Sequence, residues 1–235
     1  VSDFGEFANR MAAGPVSFAA DREVILTVVR DIAQTEALLF EEQAILSKAP
    51  RLKYLVVCST LSPRYLADLA KRMPPEITLI DAPMSGAQVA ADEARLSFML
   101  GGPDAALDKL DPLFRAMGTR IHRMGGPGAG MTAKVLNNFV AGAATAGVRQ
   151  VLAWAEDLDV DRDRLLALLH DSSGQTWFGS NFDKIEFSRD GYDPQNTLGI
   201  LKKDLESCLD AVDPDSHEGF PEAVVDAIGD LKPIS

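Results

Sequence analysis

Short apolar stretches alternate with helical hydrophobic patterns along the first half of the chain. The apolar stretches are rich in β-branched residues, which is typical of strands buried on both faces of a parallel sheet. They predict strands at residues 23–29, 53–58, 77–80 and 96–100, with a last strand at 119–124. Hydrophobic residues at helical spacing predict helices at residues 4–14, 33–46, 63–73 and 103–117. This alternation predicts an α/β fold with a Rossmann-like, doubly wound parallel sheet.

The second half of the chain has an almost entirely helical pattern. It opens with a glycine-rich turn that runs into a helix of about seven turns or more, within residues 125–156. Further helices are predicted at residues 162–170, 198–212 and 221–231, with a less regular piece near residues 177–187. The sequence therefore predicts two domains, a Rossmann-like domain over residues 1–126 and an all-α domain over residues 127–235.

The long helix carries three polar side chains on one face. Lys134, Asn137 and Asn138 lie at positions i, i+3 and i+4, so a helix brings them close together. Such residues more often form a solvated face, but their neighbours here are small or apolar, which indicates a helix buried nearly all round. Burial lowers the pKa of a lysine toward the range useful for proton transfer. The pattern therefore favours a site for one small polar ligand.

Polar residues also follow the predicted strands at their carboxyl ends. Ligands of a doubly wound sheet bind beyond these ends. The groups that the sequence places there are Arg30, Asp31, Ser59, Thr60 and the segment 81–86. Directly afterwards, Ser62 and Pro63 predict the start of a helix, because serine caps helix N-termini and proline suits the first helical position.

Charge and composition exclude several classes of partner. A net charge of −12 over 235 residues argues against nucleic acid and anionic membranes, because both require a basic surface. No apolar run is long and clean enough to span a bilayer, and no signal peptide is predicted. Cys58 and Cys208 lie in apolar settings and indicate buried thiols of a cytoplasmic protein. The three histidines lack ligand spacing, so no metal site is predicted.

The sequence contains no intact glycine turn of the dinucleotide-binding type. The pattern G-x-G-x-x-G is absent, and the near match at Gly126, Gly128 and Gly130 has Met131 in place of the last glycine. Only 22 residues precede the first predicted strand, whereas a strand, a crossover helix and a second parallel strand need about 30. A complete nucleotide-binding half does not fit there.

Four separated motifs carry a recognisable pattern. Residues 81–87 read D-A-P-M-S-G-A, residues 128–138 read G-A-G-M-T-A-K-V-L-N-N, residues 203–205 read K-D-L, and residues 59–63 read S-T-L-S-P. They resemble, respectively, the D-x-P-V-S-G-G, G-x-G-x-x-x-K-x-x-N-N, K-D-L and S-T-x-S-P motifs of the β-hydroxyacid dehydrogenase family. The order and separation of the motifs along the chain also agree with the family. The first motif departs from the family pattern at its fourth and seventh positions, and the second does not depart from it.

The resemblance covers roughly residues 4–212 and implies a function. The family includes 3-hydroxyisobutyrate dehydrogenase, tartronate semialdehyde reductase and, more distantly, 6-phosphogluconate dehydrogenase. It implies hydride transfer between NAD or NADP and a small β-hydroxyacid or its semialdehyde. The implied roles are Lys134 as general acid or base with Asn138 beside it, Ser85, Gly86 and Asn137 as contacts of a small carboxylate substrate, and Thr60 and Lys203 as contacts of the cofactor. Family members are typically dimers or tetramers, so a homodimer or homotetramer is expected.

The sequence leaves alternatives open. Residues 4–14 resemble the family's first helix without the strand and glycine turn before it. Either stretches are missing from the chain, or the protein is a degenerate relative that binds no cofactor. Imine reductases share this architecture but usually replace the lysine, so Lys134 favours alcohols or aldehydes over imines. Trp177 and Phe178 are candidates for the wall of a substrate pocket and, equally, for core or interface positions.

Overall fold

The computed structural model describes residues 5, 7 and 10–234 of the chain. The chain divides into two units, residues 1–133 and residues 134–235. The first unit contains a six-stranded sheet with helices, and the second is helical. The predicted class is confirmed, since a parallel-dominated sheet with helices is followed by a helical region.

The sheet of the first unit contains both parallel and antiparallel pairs of strands. Its strands are β1 (Val24–Thr27), β2 (Tyr54–Val57), β3 (Thr78–Asp81), β4 (Met84–Ser85), β5 (Leu96–Gly101) and β6 (Gly118–Gly125). They lie in the order β1-β2-β3-β5-β4, with β6 also paired to β5. β1, β2 and β3 are parallel neighbours, as are β5 and β6. β5 runs antiparallel to β3 and β4, so the sheet is not parallel throughout.

The helices of the first unit connect these strands. They are α1 (Pro15–Ala19), α2 (Ile32–Leu39), α3 (Ile45–Lys48), α4 (Pro63–Arg72), α5 (Ala87–Asp92) and α6 (Asp104–Arg115). The predicted start of α4 is confirmed, because the Ser62 Oγ accepts a hydrogen bond from the Arg64 amide and Pro63 is the first helical residue. This cap fixes the direction in which the chain leaves β2.

β2 explains why the strand sequences are continuously apolar. Leu55 and Val57 pack into a cluster on one face of the sheet, and Val56 packs into a second cluster on the other face. All three side chains are fully buried. The second cluster also contains Phe98 and Phe114, whose ring centroids are 5.4 Å apart. Burial on both faces removes the polar alternation that a half-exposed strand would show.

Three local predictions differ from the structure. The single helix predicted at residues 33–46 is wrong, because α2 ends at Leu39 and the chain passes through Ala44, whose left-handed φ of 44° cannot continue a helix. Strand β4 and helix α5 were not predicted, since two and six residues are too short for a periodic signal. The helix predicted at residues 4–14 includes residues 4, 6, 8 and 9, which lie outside the described residues, and residues 11–14 are not helical.

The long helix and the helices after it form the rest of the chain. They are α7 (Ala129–Asp157), α8 (Arg162–Asp171), α9 (Trp177–Ser180), α10 (Thr197–Ala211) and α11 (Phe220–Gly229), with short 3-10 helices at Phe182–Lys184 and Pro214–Ser216. In the second unit, Val148 and Leu152 of α7 share a buried cluster with Phe178, and Leu205 shares another with Ile228. These apolar stripes hold the helices of the second unit together.

A buried arginine ties two loops to α7. Arg149 is 4% exposed, and its guanidinium donates to the carbonyl oxygens of Ser188 and Asp190, both at 2.8 Å, and to that of Lys232. Carbonyl partners satisfy the buried donors without a second charge. None of the helices in the described part of the chain combines the length and the hydropathy that a membrane crossing requires.

Candidate active site

The carboxyl ends of the three parallel strands form a level rim in the first unit. Thr27 pairs with Val57, and Val57 pairs with Asp81, so β1, β2 and β3 end side by side. The segments that follow these strands include Arg30, Asp31, Ser59, Thr60 and 81–86, as the sequence predicts. Asp31 has a structural task there, since its Oδ1 caps α2 by accepting from the Gln34 amide at 2.9 Å.

The turn that carries Thr60 is held on both sides. The Ser59 Oγ accepts a hydrogen bond from the Val29 amide at 3.0 Å, which joins this turn to the one after β1. The Leu61 amide donates to the Met131 Sδ at 3.2 Å. Thr60 lies between these two anchors and is half-buried. Its position on the rim is therefore set by neighbours on both sides.

The segment with Ser85 and Gly86 turns sharply after β4. Gly86 has a φ of 134°, and a Cβ there would lie 2.5 Å from the Cβ of Ala90, so only glycine fits. Ala87 follows with a left-handed φ of 57° at the position where the family motif has its second glycine. Ser85 and Gly86 are half-buried. The turn presents a hydroxyl and backbone amides in sequence, which is chemistry suited to a carboxylate.

Asp81, the first residue of that segment, is committed to the protein itself. It is 1% exposed, and its Oδ1 and Oδ2 accept hydrogen bonds from the backbone amides of Gly128 and Met131 at 2.7 and 2.6 Å. Burial raises the pKa of this carboxyl group, and the hydrogen bonds from the amides oppose that change. Asp81 therefore caps the start of α7. Sequence reasoning missed this role, because the donors lie 47 and 50 residues further along the chain.

A buried polar cluster in the second unit contains the candidate acid–base group. Lys134 and Asn138 of α7 are 7% and 9% exposed. The Asn138 Nδ2 donates to the Asp204 Oδ2 at 2.6 Å, and the Lys203 Nζ lies 2.8 Å from the Asp204 Oδ1. Asn137 is exposed, and its Nδ2 donates to the Asn138 Oδ1 at 3.1 Å. Asn138 and Lys203 are thus linked through Asp204.

The electrostatics of this cluster act on Lys134. Burial lowers the pKa of the Lys134 ammonium, the carboxylate of Asp204 opposes that change, and the charge of Lys203 adds to it. The sequence did not single out Asp204, although it stands in the K-D-L motif, because only its contact with Asn138 across 66 residues reveals its place. The cluster combines a desolvated amine, an amide and one buried carboxylate.

Trp177 and Phe178, the two candidates for a pocket wall, differ in burial. Phe178 is 3% exposed and belongs to a core cluster of the second unit, with its ring centroid 5.7 Å from that of Phe182. Trp177 is 61% exposed. Among the described residues, no group of three or more histidine, cysteine, aspartate or glutamate side chains is placed to hold a metal ion.

Both parts of the chain match known protein families. Residues 2–126 match the NAD binding domain of 6-phosphogluconate dehydrogenase, and residues 128–217 match the NAD-binding domain of NADP-dependent 3-hydroxyisobutyrate dehydrogenase. L-threonate dehydrogenase of Cupriavidus necator is 27% identical over 220 residues, which cover 93% of this chain and 73% of that protein. 3-hydroxyisobutyrate dehydrogenase of Pseudomonas aeruginosa is 31% identical over 156 residues, which cover 66% and 52%.

A solved structure shows the same fold. The 3-hydroxyisobutyrate dehydrogenase of Mycobacterium tuberculosis, solved with L-serine, superposes with a TM-score of 0.76 at 22% identity, covering 93% of this chain and 79% of that one. Against the curated relatives, the chain spans 73% of the length of the Cupriavidus protein and 62% and 63% of the L-threonate dehydrogenases of Pectobacterium atrosepticum and Escherichia coli.

The fold and the two matched regions define a class, the NAD-binding proteins that join a Rossmann-like sheet to a helical domain. Within that class, the chain belongs to the β-hydroxyacid dehydrogenase family. This family consists of NAD(P)-dependent dehydrogenases and reductases that act on CH–OH groups, so the cofactor class is NAD or NADP.

The residues present suit one end of such a cofactor. The turn at residues 59–63 lies on the rim of parallel strands, the usual place for a dinucleotide in this fold, and it is anchored through Ser59 and Leu61. The sequence contains no G-x-G-x-x-G, and Asp81 already accepts from two amides of the glycine turn before α7. The rim thus offers part of a dinucleotide site, and the sequence offers no G-x-G-x-x-G turn for the pyrophosphate.

Proposed function

We propose that the chain is an NAD(P)-dependent oxidoreductase that interconverts a small β-hydroxyacid and its semialdehyde, with Lys134 as the general acid and base. The observation that carries this proposal is the environment of Lys134. Its side chain is buried one helical turn from Asn138, and the nearby Asp204 carboxylate opposes the loss of its charge. A desolvated lysine with one carboxylate neighbour is poised to change protonation state.

Lys134 moves the proton of the reacting hydroxyl group. In the oxidising direction its neutral amine accepts that proton, and in the reducing direction its ammonium returns a proton to the alkoxide oxygen. Because burial lowers the pKa of Lys134, both forms are more equally available than in an exposed lysine. The nicotinamide, when bound, accepts or supplies the hydride. Proton and hydride together account for the two hydrogens that the alcohol loses.

Asn138 orients the groups that take part in this transfer. Its amide nitrogen is committed to Asp204, which fixes the rotation of the side chain. Its Oδ1 accepts from Asn137 and has a second lone pair for the Lys134 ammonium or the substrate hydroxyl. Asn137 is exposed and adds a further polar contact for the substrate.

Ser85 and Gly86 bind the substrate carboxylate. The hydroxyl of Ser85 and the backbone amide of Gly86 follow one another in a turn that glycine alone can form. Hydrogen bonds from neutral donors to a carboxylate are short and strong, so two of them fix an acid in one orientation. This assignment makes a small carboxylate the substrate class.

Thr60 and Lys203 contact the cofactor. Thr60 occupies a turn fixed by hydrogen bonds of Ser59 and Leu61. The ammonium group of Lys203 forms an ion pair with Asp204, with its Nζ 2.8 Å from the Asp204 Oδ1, which holds this charge beside the cluster of Lys134 and Asn138. Both assignments rest on the match of these residues to the S-T-x-S-P and K-D-L motifs.

Initial rates on matched substrate pairs test the proposed function. Small hydroxyacids with NAD and with NADP should react faster than their methyl esters, because the ester lacks the charge that Ser85 and Gly86 recognise. Equal rates on acids and esters would remove the substrate class. Turnover of cyclic imines but not of hydroxyacids would instead favour an imine reductase, and a protein without turnover or NAD(P)H binding would be a non-catalytic relative.

A second copy of the chain is the expected partner. Three large apolar side chains of α7 are half or more exposed, and they recur on one face of the helix at Leu136, Val140 and Trp154. Exposed apolar faces of this length mark protein interfaces. Light scattering should therefore give the mass of a dimer or tetramer at micromolar concentration. A monomer under these conditions would contradict the assignment of this face.

A further inference from the structure

The start of α7 has the layout of an anion site, but an internal carboxylate occupies it. The chain passes from β6 through a glycine-rich turn into the helix, and amides at such a helix start attract anions. Here the Gly128 and Met131 amides donate to Asp81, at 2.7 and 2.6 Å. A bound phosphate or carboxylate would meet a charge of its own sign. The turn therefore serves Asp81 and not an external ligand.

Two glycines allow this carboxylate to reach the amides. A Cβ on Gly101 would lie 2.4 Å from the Asp81 Oδ1, and a Cβ on Gly130 would lie 2.2 Å from the carbonyl oxygen of Met99. Both distances are far below van der Waals contact, so a side chain at either position would force the strands and α7 apart. The close approach of α7 to the ends of β3 and β5 depends on both glycines.

The burial of Asp81 is costly, and its donors are neutral. The side chain is 1% exposed, and backbone amides stabilise the charge without a cation. Backbone donors have fixed positions, so the carboxylate holds the first turn of α7 in one orientation. The Met131 amide is one of these donors, so Asp81 holds the backbone of Met131 in place. The side chain of Met131 is fully buried.

The side chain of Met131 in turn contacts the turn that contains Thr60. Its Sδ accepts a hydrogen bond from the Leu61 amide at 3.2 Å. Leu61 directly follows Thr60, and its side chain is 1% exposed in the same apolar cluster as Met131. A continuous path of contacts thus leads from Asp81 through Met131 to the backbone beside Thr60. All residues of the path lie in the first unit.

We propose that Asp81 is a positioning residue for the nicotinamide cofactor, acting through Met131 on the Thr60 turn. The inference rests on the proposed function, because Thr60 is the cofactor contact there. Asp81 itself touches neither substrate nor cofactor. Its carboxylate fixes Met131, the Met131 sulfur fixes Leu61, and this places the Thr60 hydroxyl.

Asp81→Asn and Met131→Leu separate the two steps of this path. Asparagine has one oxygen where two amides converge, so its NH2 group faces a donor and the first turn of α7 loosens. Leucine has nearly the volume of methionine but no sulfur acceptor, so it releases only the Leu61 amide. Amide hydrogen exchange should accelerate at Met131 and Leu61 in Asp81→Asn, and at Leu61 alone in Met131→Leu. Both variants should bind NADH or NADPH about tenfold more weakly, the loss expected for one neutral hydrogen bond.

A matched control separates positioning from the loss of a charge at a helix cap in general. The Asp161 Oδ1 caps α8 by accepting from the Arg164 amide at 2.9 Å, and Asp161→Asn should leave cofactor affinity unchanged. Unchanged affinity in a folded Asp81→Asn would overturn the proposal. If that variant does not fold, unchanged affinity in Met131→Leu overturns it instead. A wild-type protein that binds neither cofactor would refute the proposed function, and the exchange pattern would still decide whether Asp81 controls Leu61.

Discussion

The molecule contains two buried carboxylates that are stabilised in different ways. Asp81 in the first unit is 1% exposed and accepts from backbone amides. Asp204 in the second unit is 3% exposed and is held by two side chains, the amide of Asn138 and the ammonium of Lys203. Backbone donors are fixed in place and carry no net charge. Of the two side-chain partners of Asp204, the Asn138 amide is neutral and the Lys203 ammonium carries a charge.

This difference separates a structural carboxylate from a responsive one. Asp81 can only hold elements in register, because its partners neither titrate nor move without the backbone. Asp204 acts electrostatically on Lys134 and shares a cluster with a second cation, so its charge influences the proposed acid–base group. Substitutions in the cluster of Asp204 should therefore alter chemistry and pH dependence, and substitutions on the rim should alter binding.

The largest effect is expected for Lys134→Met. This variant removes the acid–base group and should lower kcat by about 10²–10⁴-fold while leaving cofactor affinity nearly unchanged. Single-turnover kinetics and NADH titration measure the two quantities separately. Lys71→Met is the control, because Lys71 is an exposed lysine paired with Asp68 on α4. Retention of more than a tenth of the wild-type rate, with hydride transfer limiting, would exclude Lys134 as the base.

A smaller effect is expected for Ser85→Ala on the rim. Loss of a hydrogen bond to a charged group should cost about 1.5–3 kcal/mol, or roughly one to two decades in kcat/KM for acids. Methyl esters should show a much smaller loss, because they present no charge. Ser47→Ala, which removes an exposed hydroxyl bonded to the Ala44 carbonyl, serves as the control. Equal losses on acids and esters would separate Ser85 from carboxylate recognition.

Asp204→Asn should move the pH dependence without removing the enzyme's function. Asparagine keeps an oxygen for the Asn138 amide but loses the charge that opposes deprotonation of Lys134. The pKa of Lys134 should fall further, since burial and the charge of Lys203 both act in that direction. In the pH–rate profile of alcohol oxidation, the acidic limb should therefore move to lower pH. Glu206→Gln, an exposed charge change on α10, should leave the limb in place.

The sequence predicted the elements that local patterns encode. The continuous apolar run of β2 reflects burial on both faces, and Ser62 with Pro63 marked the start of α4. The break between α2 and α3 was missed, because an alanine with left-handed φ has no sequence signature. β2 and the start of α4 were predicted because their signals are local in the sequence. The break between α2 and α3 was missed because it depends on the backbone angle of one residue.

The contacts that organise the candidate site could not be predicted in this way. Asp81 meets its donors 47 and 50 residues away, and Asn138 meets Asp204 across 66 residues. Such contacts depend on how strands and helices pack, which hydrophobic spacing does not specify. The motifs did place Lys134 and Asn138 on one face of a helix, since that relation is local.

The smallest effect concerns stability, and Lys134→Met measures it. Burial lowers the pKa of Lys134 in the folded protein below its value of 10.5 in the unfolded chain. Below the folded-state pKa both states carry the proton, and the folded protein bears the full cost of the buried charge. As the pH rises toward 10.5, the unfolded chain binds more protons than the folded protein, so wild-type stability rises.

Methionine at position 134 removes the cost of burying a charge, so the variant should be more stable than the wild type at neutral pH by about 1 kcal/mol. Urea unfolding at a series of pH values should show that advantage shrinking as the pH approaches the unfolded value. An advantage that grows with pH would mean that the Asp204 carboxylate outweighs burial at Lys134.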